Sequence, residues 1–303
     1  MNKRKLLTLM GGSTDFRRII TPTLGSNVLL NSGFETNSPP ENWSALGSNS
    51  TRVTDTRTGG SGTYAMNVAR LDNNYPRTFQ VVGSLSAGAW YRVDGWEKNI
   101  DATNTYFLLR NQANNADVCE GSFPATTTWT SELLTGMLID AGATVGCYAP
   151  SGTNGKSGRF DDVTLKPITL SSCFGIPKTM PTSMSASNYF TTQKGSWAGV
   201  ALNIDSITNP QSFVLGLCDT NYAWMVKYVA GTASIIIAKS AITYVANSPL
   251  EVRHSGTTYS LFYNSTQVGG DITVSDAQIS SNTISAQFAS SEKVSVFKYI
   301  HKP

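Results

Sequence analysis

The amino-acid sequence predicts an all-β protein made of two tandem β-sandwich domains of the jelly-roll type, preceded by a short N-terminal arm. From Asn27 onward, short apolar or alternating runs are separated by turn residues, which is the pattern of strands rather than helices. Only 14% of the residues are charged, against about a quarter in ordinary globular chains. A length of 303 residues suffices for two domains. The composition therefore favours turn-rich sandwiches with a weakly charged surface.

The N-terminal arm is predicted over residues 1–25 and carries a basic cluster at Lys3-Arg4-Lys5. The apolar run that follows, residues 6–10, is shorter than the roughly 7–15 residues of a signal-peptide core. Asp15 stands where small residues should precede a cleavage site. The pattern therefore favours an arm that docks on a partner subunit over a secretion signal.

Two series of candidate strands define the two domains. The first domain is predicted over residues 26–168, with strands at 28–30, 65–69, 77–82, 90–98, 106–111, 128–135, 144–149 and 158–166. Residues 169–183, which contain Pro177 and Pro181, are predicted to link it to a second domain over residues 184–303. The candidate strands of the second domain are 187–192, 196–204, 212–218, 223–229, 234–238, 250–255, 258–263, 283–288 and 294–299. The last hairpin is predicted to turn at Asn264-Ser265.

The cysteines occur at positions 119, 147, 173 and 218. Their placement allows one disulfide within each domain, but so few cysteines are sparse for a disulfide scaffold of this length. Buried thiols, in a protein assembled in a reducing cytosol, are the favoured alternative. No CxxC pair or Cys/His cluster predicts a zinc site.

The first domain carries an opening, a middle and a closing motif in a defined order. These comprise residues 27–35 with Trp43, residues 79–82, 88–93 and 96–98, and residues 159–165. In these motifs the domain resembles the jelly-roll carbohydrate-binding modules that accompany xylanases and cellulases. The resemblance covers residues 26–168, about half of the chain. It implies a jelly roll that binds glycans.

Glu35 and Asp161 belong to the opening and closing motifs, which a jelly roll brings together. Two close carboxylates repel each other unless a cation lies between them. In the family that the domain resembles, this corner often holds a structural calcium ion. The resemblance therefore implies a Ca²⁺ site at Glu35 and Asp161, completed by backbone carbonyls. The alternative is that both carboxylates cap turns by accepting backbone N–H bonds.

Aromatic side chains are the candidates for a glycan site, because sugars present flat C–H faces to Trp and Tyr while polar side chains fix their hydroxyls. The predicted binding residues are Tyr75, Trp90, Tyr106, Arg110 and Gln112, with Trp43 and Trp129 as further candidates. The ring most expected to be exposed is that of Tyr75, because it lies in a turn-rich segment. For each Trp the alternative is burial in the core.

The sequence does not predict an enzyme. Its two histidines are His254, in a candidate strand, and His301, near the C-terminus, and neither accompanies a GxSxG or comparable nucleophile motif. Glu35 and Asp161 could be taken for a glycosidase pair, but nothing else in the chain supports a catalytic site. No Gly-rich phosphate loop occurs.

Residues 184–303 carry a second, shorter set of motifs. These are residues 249–254, the hairpin around Asn264 and the closing segment 294–299. They are similar to the concanavalin-like (laminin G-type) sandwiches, whose last strand pairs beside the first. Such domains occur in lectins, adhesins and the tail or capsid proteins of bacteriophages. Aromatic residues that could line a ligand face here are Trp197, Tyr222 and Trp224, with burial as the alternative.

Three hypotheses for the function follow. The first is a bacteriophage virion protein (tail fibre, tail tip or capsid decoration), assembled in the host cytoplasm and oligomeric, that docks on other virion proteins through its arm and binds cell-surface glycans. The second is a secreted polysaccharide-binding protein or an accessory module of a glycoside hydrolase. The third, a glycan-cleaving enzyme, lacks a catalytic pair. A net charge of +3 is too small to predict nucleic-acid binding, and no run approaches the roughly 20 apolar residues of a membrane span.

Overall fold

The computed structural model describes residues 18–55, 57–72, 75–113, 117–123, 126–181 and 183–302. They form strands and turns, with a short 3-10 helix at Leu170–Cys173 and a single α-helical turn at Ala277–Ser280, which confirms the all-β class. None of the described helices could cross a membrane. The chain divides into two compact units. The first sandwich is Leu24–Pro167, and the second sandwich comprises the described residues before Leu24 together with the chain from Ile168 onward.

The first sandwich consists of two five-stranded sheets with its core between them. One sheet has the strand order β3 (Ser48–Val53), β4 (Ala65–Arg70), β11 (Ser157–Ile168), β6 (Trp90–Asn99) and β9 (Thr130–Met137). The other, called here the groove sheet, has the order β2 (Ser44–Leu46), β5 (Arg77–Val82), β10 (Ala143–Tyr148), β7 (Thr105–Asn111) and β8 (Asp117–Phe123). Across the core, the rings of Phe107 and Phe160 meet edge-on with their centroids 5.6 Å apart. The two sheets are therefore joined by one apolar layer.

Strand β6 shows how the sequence specifies this packing. Val93 and Gly95 face the core, whereas Arg92 and Asp94, which alternate with them, are partly exposed, as the period of two in a strand requires. A Cβ atom at Gly95 would lie 2.6 Å from Cζ of Phe107. The ring of Phe107 therefore packs directly on the backbone of β6, which only glycine permits.

The second sandwich consists of two six-stranded sheets around a second core. One has the order β1 (Arg18–Ile19), β22 (Ser295–Lys302), β13 (Ser183–Thr191), β18 (Pro249–Ser255), β19 (Thr258–Tyr263) and β20 (Thr266–Thr273). The other has the order β12 (Phe174–Thr179), β21 (Ile284–Ala289), β14 (Ala198–Ile204), β15 (Phe213–Cys218), β16 (Tyr222–Val229) and β17 (Thr232–Ala241).

The predicted hairpin of the second sandwich is confirmed. Strands β19 and β20 pair antiparallel up to Tyr263 and Thr266. The two residues between them have positive φ angles, 47° at Asn264 and 67° at Ser265, which is the conformation of a two-residue hairpin turn. The predicted closing strand is also present, and it pairs with β13 as the concanavalin-like resemblance implied.

The predicted N-terminal arm needs correction. Residues 1–17 lie outside the described residues. Strand β1 pairs antiparallel with β22, and the side chain of Ile20 is buried in the core of the second sandwich. Gly25 N–H donates a 2.8 Å hydrogen bond to the carbonyl of Pro167 in the first sandwich. Because pairing and burial fix residues 18–25, they belong to the two folds and are not a free arm.

The predicted linker over residues 169–183 also needs correction. It contains the 3-10 helix and strand β12, which pairs antiparallel with β21. Phe174 packs against Phe288 with the ring centroids 5.6 Å apart. Pro177 is tolerated because β12 is the edge strand of its sheet, where a proline costs no ladder hydrogen bond. The prolines that suggested a linker therefore mark an edge strand.

Candidate binding groove

A groove of about 490 Å³ lies on the outer face of the groove sheet. This volume is within the range of small-ligand sites. Its lining side chains come from the turn before β5 and from strands β5, β7, β8 and β10, and they are Tyr75, Arg77, Tyr106, Leu108, Arg110, Asp117 and Tyr148. The groove therefore combines aromatic rings with charged hydrogen-bonding groups.

Strand pairing brings the central side chains of the groove into one row. On β10, Tyr148 pairs with Arg77 of β5 on one side and with Tyr106 of β7 on the other. Two pairs further along the strands, and therefore on the same face, Gly146 is opposite Leu108, whose side chain is almost fully buried and forms the floor. Residues that are far apart in the sequence are thus neighbours on one surface.

The two central tyrosines form a stacked pair. The rings of Tyr106 and Tyr148 lie 4.8 Å apart between centroids, at an interplanar angle of 15°. Tyr148 is buried, and this burial raises the pKa of its phenol although Arg77 and Arg110 lower it. The phenol is therefore neutral at physiological pH, and the pair offers a rigid aromatic surface.

The two arginines of the groove have different partners. Arg110 Nε donates a 2.6 Å hydrogen bond to Oδ1 of Asp117. Partial burial lowers the pKa of Arg110, but the hydrogen bond and charge of Asp117 outweigh it and raise the pKa overall. Arg77 Nη1 donates to the backbone carbonyl of Tyr75 at 3.2 Å, and its guanidinium carbon lies 5.6 Å from the ring centroid of Tyr148.

Tyr75 forms the exposed rim of the groove. Its side chain is 69% exposed, and it immediately precedes Pro76, whose carbonyl accepts a 3.1 Å hydrogen bond from the N–H of Ala149. This bond ties the segment that carries Tyr75 to the chain just after β10. An exposed aromatic ring held beside the stacked tyrosine pair suits a ligand that contains several sugar rings.

The structure brings three of the predicted glycan-binding residues together, namely Tyr75, Tyr106 and Arg110. The prediction for Trp90 is wrong, because its ring is fully buried and belongs to β6 in the opposite sheet. Gln112 is exposed but does not line the groove, since it lies just beyond β7 and its N–H bonds to the carbonyl of Gly142 at 3.0 Å.

The further tryptophan candidates are also outside the groove. Trp43 is buried and donates its indole N–H to the carbonyl of Leu30 at 3.2 Å. Trp129 is half-buried, with the ammonium of Lys98 at 6.0 Å from its ring centroid. Both rings therefore have structural surroundings of their own.

Sequence reasoning missed four groove residues, Arg77, Leu108, Asp117 and Tyr148. Alternation along the predicted strands does place Tyr148 on the same face as Gly146, and Arg77 on the same face as Phe79. What the sequence lacked was the order of the strands, which decides that β5, β10 and β7 are neighbours. The sequence therefore predicts which residues of one strand share a face, but not which strands combine to form the groove.

The predicted calcium corner holds three carboxylates and an arginine. The carboxylate of Glu35 accepts backbone N–H bonds from Thr63 at 3.1 Å and Tyr64 at 2.9 Å. Asp162 is hydrogen-bonded to the guanidinium of Arg57 and to the backbone N–H of Ser61. Each of these carboxylates is therefore satisfied by protein donors.

Asp161 is the most buried carboxylate of this corner. Its Oδ1 accepts the N–H of Asp162 at 2.8 Å, and its Oδ2 lies 4.0 Å from Nε of Arg57. Burial and the charge of Asp162 raise the pKa of Asp161 to about 6, although Arg57 lowers it. No group of three His, Cys, Asp or Glu within the described ranges is arranged to hold a metal ion.

These carboxylates do not fit a calcium ion well, because the guanidinium of Arg57 already supplies the positive charge between Asp161 and Asp162. For Glu35 the geometry is that of the alternative reading, a carboxylate that caps a turn. Calcium at Glu35 and Asp161 stays a prediction, and the contacts of Arg57 argue against it.

No protein-family model and no curated protein matches the sequence. Solved structures that are similar include a domain of tailspike protein 4 of bacteriophage CBA120, at 15% identity and a TM-score of 0.39, with 46% of this chain and 21% of that chain covered. A second is the tandem CBM22-1–CBM22-2 domain of Paenibacillus barcinonensis Xyn10C, at 8% identity and 0.35, covering 95% and 98%. A third is the carbohydrate-binding module TmCBM61, solved with β-1,4-galactotriose, at 23% and 0.35, covering 46% and 98%.

The solved structures similar to this chain thus include carbohydrate-binding modules and phage tail proteins. The chain spans about a fifth of the length of the tailspike domain. At these identities and scores the likeness extends no further than β-sandwich architecture.

Proposed function

We propose that this chain is a non-catalytic, glycan-binding structural protein of a bacteriophage particle, and that the groove is its ligand site. The observation that carries the proposal is the stacked Tyr106–Tyr148 pair on an outer sheet face, bordered by Arg77 and by the Arg110–Asp117 ion pair. Tyrosine faces bind the C–H face of a sugar ring, and the charged groups bind its hydroxyls.

The groove supports binding rather than catalysis. Hydrolysis of a glycosidic bond requires two carboxyl groups that flank the bond. The lining residues include a single carboxylate, Asp117, and its Oδ1 is engaged by Arg110 at 2.6 Å. A general acid must be within hydrogen-bond reach of the group it protonates, and this carboxylate is already bonded to Arg110. We therefore propose that the groove binds its ligand without catalysing a reaction.

The cysteines support assembly in a reducing cytosol over secretion. No disulfide joins the four cysteines, all of which lie in the described part of the chain. The thiols of Cys147, Cys173 and Cys218 are buried, which raises the pKa of each. Secreted domains of this kind more often use their cysteines as cross-links. The alternative, a secreted polysaccharide-binding protein or hydrolase accessory module, shares the groove and differs in this respect.

The proposal implies several copies of the chain on one particle. A single sugar site of millimolar affinity contributes only about 4 kcal/mol. Cyclic oligomers that present several grooves to one surface gain avidity without any new contact. We therefore propose a homo-oligomer that contacts other virion proteins and faces cell-surface glycans.

The groove is tested by a Tyr106→Ala variant in a glycan-array and titration assay. Loss of the half-buried ring removes one side of the stack, and we expect binding of any positive glycan to fall at least about fivefold. Tyr189→Ala is the matched control, because Tyr189 is likewise a half-buried tyrosine but belongs to the second sandwich, where its ring contacts Lys298. Equal binding by both variants would place the glycan elsewhere and contradict the proposal.

The particle assignment is tested separately by mass spectrometry of purified phage and of culture supernatant. We expect the chain in the particle fraction, at a constant ratio to other virion proteins. Its occurrence as a soluble protein in the supernatant alone would favour the secreted alternative.

A further inference from the structure

The charges that line the groove do not cancel. Two arginines, Arg77 and Arg110, face one aspartate, Asp117. Arg110 and Asp117 neutralise each other through their 2.6 Å ion pair. No ion pair involves Arg77 in the described part of the chain. The groove therefore carries one uncompensated positive charge, and its position is that of Arg77.

Arg77 is held in place rather than free to swing into solvent. Its Nη1 donates to the carbonyl of Tyr75 at 3.2 Å. Its guanidinium carbon lies 5.6 Å from the ring centroid of Tyr148 and 5.8 Å from that of Phe79. One hydrogen bond and two ring contacts fix the plane of the guanidinium. Arginine carries five N–H donors, so most of them stay available for a ligand.

The residues paired with Arg77 in the sheet offer no negative charge to these donors. On the edge strand β2, the residue paired with Arg77 is Leu46, which is exposed and apolar. On the other side lies Tyr148, whose phenol is neutral. A guanidinium fork binds a planar carboxylate through two parallel hydrogen bonds, and such charge-assisted pairs are stronger than neutral ones.

We propose that the groove selects glycans that contain a carboxylate sugar, a uronic or sialic acid, with the carboxylate on Arg77 and the sugar ring on the Tyr106–Tyr148 pair. This inference rests on the proposed function of the groove. Arg77, Tyr148 and Tyr106 form one row across three neighbouring strands, and the guanidinium carbon lies 5.6 Å from the ring centroid of Tyr148, so one sheet holds both contacts in place. The Arg110–Asp117 pair is then left for hydroxyl groups.

The test compares acidic oligosaccharides with forms whose carboxylate is masked. The probes are trigalacturonate and its methyl ester, and sialyllactose and its methyl ester, each with the neutral parent sugar, titrated into the full-length protein. For at least one pair we expect the acid to bind at least about tenfold more tightly than its ester, and we expect added salt to reduce the difference.

Variants of Arg77 identify the group responsible. We expect Arg77→Gln to bind acid and ester equally, and Arg77→Lys to retain part of the preference because it keeps the charge and loses the fork. Arg253→Gln is the matched control, since Arg253 is an exposed arginine of the second sandwich that is paired with Glu251. It should behave as the wild type.

The outcomes separate this inference from the proposed function. If the esters and neutral sugars bind as tightly as the acids and Tyr106→Ala abolishes their binding, the groove is a glycan site and the role of Arg77 is refuted. If acids are preferred but Arg77→Gln keeps the preference, the inference is also refuted. If no probe binds, or if Tyr106→Ala has no effect on binding, the proposed function fails together with it.

Discussion

The ring of Tyr148 lies directly over the backbone of Gly146, two residues earlier on the same strand. A Cβ atom at Gly146 would overlap Cε2 of Tyr148. The glycine therefore creates the space in which the tyrosine lies flat on the sheet, and the flat ring is what Tyr106 stacks on at 4.8 Å.

A Gly146→Ala substitution should disturb the groove from beneath. The added methyl group forces the ring of Tyr148 to lift or turn, which separates it from Tyr106, and we expect glycan affinity to fall at least about fivefold. Near-ultraviolet circular dichroism should report the altered tyrosine pair. The matched control is Gly83→Ala, because a Cβ there would meet nothing within 4 Å. Unchanged affinity in Gly146→Ala would show that the ligand does not use this ring.

Glu97 predicts a pH dependence of stability. Burial raises the pKa of this carboxyl to about 8, the neighbouring Thr105 lowers it, and the charge of Glu132 raises it. A carboxyl whose pKa is higher in the folded than in the unfolded state binds more protons when folded. The contribution of Glu97 to the free energy of unfolding is therefore fully present below the pKa of the unfolded state, and it is lost as pH rises through about 8.

The effect of Glu97 can be isolated above neutral pH. The raised pKa of Asp161 is about 6, and burial lowers the pKa of His254 and His301, so these groups titrate at lower pH. Between about pH 7 and 8 we expect the free energy of unfolding to fall by up to about 1.4 kcal/mol per pH unit. Urea titrations of Glu97→Gln should show a flatter dependence, while the exposed-site control Glu41→Gln should keep the wild-type slope.

The contacts of Arg57 predict that calcium does not stabilise the wild-type protein. We expect the same melting temperature in EDTA and in millimolar Ca²⁺. Removal of the guanidinium in Arg57→Gln leaves Asp161 and Asp162 without their counter-charge, and we expect a loss of about 2 kcal/mol that Ca²⁺ partly restores.

A control for this experiment is Lys156→Gln, which breaks an exposed ion pair with Asp101 and should cost at most about 1 kcal/mol. A wild-type melting temperature that drops in EDTA would reinstate the calcium site implied by the sequence resemblance.

The buried thiols predict a simple alkylation pattern. In the native protein, Cys147, Cys173 and Cys218 should resist iodoacetamide, because they are buried and their raised pKa values disfavour the reactive thiolate. The half-buried Cys119 should react first. After unfolding without reductant, all four should be modified. If two or four cysteines stayed unmodified in the unfolded protein, they would be joined in one or two disulfides, as expected of a secreted protein.

Local patterns in the sequence predicted most strands but not their neighbours. The alternation of β6 and the turn at Asn264-Ser265 are properties of a few adjacent residues, and both are present in the structure. The predicted strand at residues 28–30 is absent, although the N–H of Val28 donates one hydrogen bond to the carbonyl of Leu165. Alternation specifies which residues share a face; it does not specify which strand lies alongside.

For the candidate site, too, the sequence predicted local properties but not which strands are neighbours. Tyr75 was predicted correctly as an exposed ring, because its turn-rich surroundings are a local signal. Trp90 was misassigned, because the sequence does not tell whether a face that carries a tryptophan is covered. Asp117 and Tyr148 could be found only from the pairing of β7 with β8 and β10, which depends on contacts between distant residues.

Strand β1 has a consequence for the order in which the chain folds. Its partner, β22, lies far later in the sequence, with Arg18 opposite Val296, so β1 cannot pair until β22 has been synthesised. The first sandwich, continuous from Leu24 to Pro167, can form during synthesis while the second is incomplete. A chain truncated before β22 would thus carry a folded groove in the first sandwich, together with an unfinished second sandwich whose β13 has an unpaired, aggregation-prone edge.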